Sequence, residues 1–161
     1  MLSRLFPSQF DNQYCGHRAA LWLLGLLIAL TLVVSANSIF NTAYVAVGAD
    51  GFPLGSYGPA AARSVLMLFA LDALGQLVLS LVSLMALIRY RSMVPFIYLL
   101  VLCQQLARRF IIQSYAIPRA PTEAVVPYVV YGVIALLALG LVLSLLGRDR
   151  PNATAQPPIP A

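Results

Sequence analysis

Four long apolar runs, at about 19–36, 60–88, 93–112 and 125–146, decide most of what this chain can become. A run of about 18 residues rises about 27 Å as an α-helix, close to the thickness of a bilayer's hydrocarbon core. Inside that core every backbone N–H and C=O must be satisfied within its own segment, which selects helices for runs of this kind. The rest of the composition agrees: 61% of the 161 residues are hydrophobic and only 9% are charged. The mean hydropathy of +0.87 lies above what an ordinary water-soluble domain reaches. The expected fold is therefore an all-α integral membrane protein, an antiparallel bundle of four transmembrane helices.

Orientation follows from arginine. All ten basic residues are Arg, against five acidic residues, for a net charge of +5. With the N-terminus inside, Arg4, Arg18, Arg89, Arg91, Arg148 and Arg150 fall on the cytoplasmic side, and Arg63, Arg108, Arg109 and Arg119 lie outside or buried. Six against four places both termini in the cytoplasm. Trp22 and Tyr90 at the inner ends, and Tyr128 and Tyr131 at the outer end of the fourth run, suit interfacial aromatic belts. The basic balance is thus topological and speaks against nucleic acid as a partner. The bilayer is the partner it implies, and the all-Arg, Ala- and Leu-rich composition fits a bacterial cytoplasmic (inner) membrane.

The connections are legible as well. Residues 1–18 form a polar cytoplasmic lead, with His17 and Arg18 at the membrane edge. A cleavable signal competes for the first run, because Val34-Ser35-Ala36 has the small-residue spacing of a cleavage site, but the lead and the run are both long for one. Glycine and proline break residues 37–58 into an exposed outer loop with a short element from Thr42 to Val47. Pro59 and Pro95 suit first helical turns, the former capped by Gly58 or Ser56. The tight basic turn Arg89-Tyr90-Arg91-Ser92 makes the second and third runs neighbours in a hairpin. The Pro-rich segment 147–161 reads as a disordered cytoplasmic tail.

One polar constellation interrupts the spans. Asp72, Gln76, Ser80 and Ser83 follow one another at i, i+4, i+8 and i+11, and so share one helix face. A carboxylate in a span faces protein or water, so this stripe is expected to point into the bundle. In a hairpin turning at Tyr90, residues whose numbers sum to about 180 lie at equal depth, which pairs Asp72 with Arg108 and Gln76 with Gln104. Gln105 and Arg109 form a second pair about 100° further round the helix, so one arginine can turn inward while the other reaches the outer head groups. Three readings stay open for Asp72, Gln76, Gln104, Gln105, Arg108 and Arg109: a clamp that fixes hairpin register, recognition of an anionic ligand, lipid head group or partner helix, and ion or proton coupling through Asp72. The small-residue spacings Gly25-x-x-x-Ala29 and Gly140-x-x-x-Ser144 are compatible with close helix contact.

Chemistry that the sequence lacks narrows the function. His17 is the only histidine, and Cys15 and Cys103 stand far apart, so neither a bis-histidine haem nor a cysteine or histidine metal site is expected within the chain. Without lysine there is neither a Schiff base nor a P-loop. Glu123 has no paired carboxylate at a useful spacing, and the sequon at Asn152 is a chance match in a cytoplasmic tail. The chain reads as cofactor-free and non-catalytic: an accessory or interaction subunit that holds a larger membrane partner through its outer loop and the Asp72/Arg108 region. The competing reading is a homo-oligomeric transporter or channel in which Asp72 and the Gln/Arg stripe line a path.

Overall fold

The computed structural model describes residues 12, 14, 16–49, 51–115 and 125–146, with the side chains of the last helix from Tyr128 onward. Cys15, Asp50, Arg119, Glu123, most of the N-terminal lead and the whole 147–161 tail lie outside the described residues. Helices account for nearly all of the described residues, and no strand occurs among them: α1 (Arg18–Phe40), α2 (Thr42–Gly48), α3 (Pro59–Arg89), α4 (Val94–Ser114) and α5 (Val125–Leu145). Single 3₁₀ turns lie at Leu54–Ser56 and Arg91–Met93. Four of these helices, α1, α3, α4 and α5, are long and apolar enough to cross a membrane.

The boundaries have local causes. His17, expected only as an interfacial residue, caps α1: its Nδ1 accepts from the Ala19 N–H at 3.2 Å. That satisfies one of the amide groups left open at a helix start. The N–H of His17 donates to the Leu143 carbonyl at 3.2 Å, which fastens the lead to the end of α5. Gly58 precedes α3 and Pro59 occupies its first turn, where a missing N–H costs nothing. Pro95 holds the equivalent place in α4.

The outer connection is more helical than the density of glycine suggested. α1 runs on through Asn37 and Ser38 to Phe40, where the Asn41 side chain donates to Asn37 Oδ1 at 2.7 Å. After a break at Asn41 the chain re-enters helix as α2. Gly51 then turns with φ +66°, a conformation open to glycine and strained for other residues, and the Phe52 N–H donates back to the Ala46 carbonyl. The turn lays Phe52 against Phe69 of α3, ring edge to ring face, with centroids 6.1 Å apart.

Packing is set by where the chain is small. α3 buries Ala73, Ser80, Ser83 and Ala86, all small and all on one face, and α1 runs along that seam as its most extensive neighbour. A side chain at Gly25 of α1 would meet Leu87 of α3 at contact distance. On α5, Gly140 leaves room for the Tyr98 ring of α4, which a Cβ there would overlap. Tyr98 is fully buried and its hydroxyl donates to the Ala20 carbonyl of α1 at 2.7 Å. This one side chain joins α1, α4 and α5.

α3 and α4 are neighbours in a hairpin, as expected, but each packs more extensively on another helix. α3 packs most extensively on α1 and α4 on α5, with less contact between α3 and α4 themselves. The physical reason is that the small seam of α3 admits α1, while Gly140 of α5 admits the bulky Tyr98 of α4. The core of Ala20, Leu24, Ala86, Val94, Ile97 and Tyr98 sits at the end that carries Arg18, Arg89 and Arg91. At the opposite end a cleft opens between α3 and α4.

Candidate functional site

Asp72 and Arg108 meet across this gap. The guanidinium Nη2 lies 2.9 Å from Asp72 Oδ2, and Nη1 donates to Gln76 Oε1 at 2.8 Å. Asp72 and Gln76 are one turn apart on α3 and present two acceptors to one planar donor fork, a geometry that suits arginine and would not suit lysine. Both contacts are charge-assisted and short. Neither ion is sealed off: the side chains of Arg108 and Asp72 are 36% and 51% exposed. Two of the five guanidinium N–H groups are used in these bonds.

The expected Gln76–Gln104 pair does not form, because the Gln76 carbonyl accepts from Arg108 instead. The depth relation behind both pairs holds for Asp72 and Arg108, while Gln76 and Gln104 border the same small void without bonding to each other. The stripe on α3 also does not point inward along its whole length. Ser80 and Ser83 are buried and donate to the carbonyls of Gln76 and Leu79, each at 2.8 Å, whereas Asp72 is exposed to the gap.

Two spaces flank the ion pair. A cleft of about 420 Å³ opens between α3 and α4. Asp72, Arg108 and Gln104 give it a polar floor, and Phe52, Phe69, Ala107, Ile111 and Ile112 give it apolar walls. Deeper among the helices lies a void of about 30 Å³, bordered by Gln76, Gln104, Gln105, Ser80, Ser83 and Thr31 together with aliphatic side chains. That volume suits about one or two water molecules held by amide and hydroxyl groups. Gln104 borders both spaces. Below the void, Leu24, Ile97, Tyr98 and Leu137 are almost completely buried and close the core.

Arg109 takes a different course from its neighbour. Its guanidinium carbon lies 4.9 Å from the centroid of the Tyr131 ring on α5, a cation–π contact, and its Nε is buried without a hydrogen-bond partner. The two arginines lie on different faces of α4, as their spacing implies, but Tyr131, expected in the aromatic belt, stacks on Arg109, a contact no sequence spacing signals. The aromatic wall was equally hidden, since Phe52 stands in a stretch of glycine and proline that carries no periodicity. Among the described residues no group of three His, Cys, Asp or Glu side chains gathers. Cys103 is an exposed free thiol on α4. No known protein family, curated protein or solved structure matches this chain.

Proposed function

We propose that this is a non-catalytic accessory subunit of a membrane complex, four helices crossing a bacterial inner membrane as an antiparallel bundle with both termini in the cytoplasm. The proposed orientation rests on Arg18, Arg89 and Arg91, which lie at the same end of the helices, as the excess of arginine in cytoplasmic segments requires. The observation that carries the accessory role is at the other end. Phe40 at the end of α1 and Tyr44 and Val47 on α2 are exposed, at 85%, 80% and 52%, on either side of the break at Asn41. Exposed aromatic side chains grouped on a short, hydrogen-bonded element are what protein–protein contacts use as anchors.

The polar groups within the helices fit the same role. Asp72, Gln76 and Arg108 are engaged with one another, and so serve to tie α3 to α4 rather than to act on a substrate. The test is purification of the full chain from its native membrane in mild detergent, with the mass and composition of what accompanies it. A larger protein in fixed stoichiometry is the expected result, and Tyr44→Asp should remove it without loss of the subunit. A homo-oligomer with no other protein would overturn the accessory role.

A transporter or channel is the second reading, favoured by Gln104, which borders both the open cleft and the inner void. Such a path would have to continue past Leu24, Ile97, Tyr98 and Leu137. Solute movement by the purified chain in liposomes, abolished by Asp72→Asn, would establish it.

A further inference from the structure

We propose that the cleft between α3 and α4 binds one zwitterionic phospholipid head group bearing a primary ammonium, with the ammonium on Asp72 and the phosphate on Arg108. The proposal rests on the membrane-spanning placement of the four helices and is independent of any protein partner. Its first ground is charge. The floor of the cleft presents one carboxylate and one guanidinium 2.9 Å apart, so its net charge is zero. An anionic head group would meet Asp72 and a purely cationic one would meet Arg108, whereas a zwitterion complements both.

The second ground is unused hydrogen-bonding capacity. Arg108 places two donors on Asp72 and Gln76 and keeps three for phosphate oxygens, and Asp72 engages Oδ2 and keeps Oδ1 as an acceptor. A primary ammonium can donate to that oxygen; a quaternary ammonium has nothing to donate. Shape and depth supply the third ground. The cleft, at about 420 Å³, has the size of a small-ligand pocket and is smaller than a whole phospholipid, so it suits a head group with the acyl chains left outside. Arg108 lies six residues before the end of α4 at Ser114, about 9 Å below that end, a depth that head groups and snorkelling arginines share. Phe52, Phe69, Ile111 and Ile112 offer apolar walls to the glycerol and the upper acyl chain.

The test is native mass spectrometry of the detergent-purified full chain. It is titrated with phosphatidylethanolamine, phosphatidylcholine and phosphatidylglycerol of matched acyl chains. One phosphatidylethanolamine should bind about tenfold more tightly than phosphatidylcholine, the difference of one charge-assisted hydrogen bond, and phosphatidylglycerol should bind no better than phosphatidylcholine. Asp72→Asn should erase the preference for the primary amine. Ile111→Trp, which fills the cleft and leaves both ions in place, should lower occupancy at least about tenfold while the thermal unfolding midpoint holds. Phosphatidylglycerol binding as tightly as phosphatidylethanolamine, binding that does not saturate at one lipid, or full occupancy in Ile111→Trp would each overturn the proposal. Because every arm uses the isolated chain, these results do not depend on whether a partner co-purifies.

Discussion

Removing the guanidinium of Arg108 is the most informative single perturbation. Its two charge-assisted bonds, at 2.9 and 2.8 Å, would each contribute about 1.5–3 kcal/mol if fully buried. The side chains of Arg108 and Asp72 are 36% and 51% exposed, however, and measured side-chain contacts in membrane helices average about 0.6 kcal/mol. The coupling between Asp72 and Arg108 should therefore be about 1 kcal/mol. Arg108→Gln also leaves the Asp72 carboxylate unpaired within a span. The insertion-scale cost of that is about 2.5 kcal/mol at the bilayer centre and less in an open cleft, so the single variant should lose about 2 kcal/mol in all. The assay is a double-mutant cycle read by denaturing-detergent titration in mixed micelles, with Asp72→Asn, Arg108→Gln and both together. Charge reversal extends it: Asp72→Arg or Arg108→Asp alone should destabilise more than the neutral variants. The double exchange should recover part of the loss, since the ambivalent amide of Gln76 can turn to serve either partner. A double exchange no more stable than the worse single reversal would refute the clamp.

The same measurement reaches other contacts. Gly140→Ala should cost about 1–3 kcal/mol, because its methyl group displaces the Tyr98 ring from α5, and a smaller loss would mean the ring has another place to go. Tyr98→Phe keeps the ring and removes only the 2.7 Å bond to the Ala20 carbonyl, so about 1 kcal/mol is expected from the unfolding midpoint. Burial pushes the Tyr14 phenol from 10.0 up to about 12. Because the folded form holds its proton more tightly than the unfolded form, the stabilisation is complete below pH 10 and declines as the pH rises from there towards 12. Comparison of tyrosinate absorbance in the wild type and Tyr14→Phe should assign a late-titrating phenol to this residue; ionisation at the ordinary value would contradict its burial.

The helices were legible because a bilayer leaves so few alternatives: a run of apolar residues between prolines and arginines has only one way to satisfy its backbone. The Asp72–Arg108 pair was legible for a related reason, since hairpin depth depends only on the rise per residue. Depth does not say which donor an acceptor takes, and the Gln76 carbonyl goes to Arg108 rather than to Gln104. Which helices touch is decided by side-chain volume on facing surfaces. The polar stripe shares only Ser80 and Ser83 with the buried seam; Ala73 and Ala86 complete that seam, and its small size is what admits α1. Gly140 is legible as a small residue, but the ring that fills its space is 42 positions away at Tyr98 (140 less 98), beyond any local spacing rule. Phe52 reaches Phe69 only because Gly51 takes a positive φ, and nothing in the sequence alone orients that turn.

The clamp also imposes an order on synthesis. Arg108 leaves the ribosome about 36 residues after Asp72 (108 less 72), an interval of roughly two to seven seconds at ordinary elongation rates. Throughout it the carboxylate of α3 has no Arg108 to meet, and the long α3 has only α1, the short α2 and the turn at Phe52 beside it. The newborn chain is thus least at ease in lipid while α3 is made and α4 is not, and the machinery that inserts it must shelter Asp72 for those seconds. Slowing translation between the two codons should lengthen that exposure, and hastening it should shorten it.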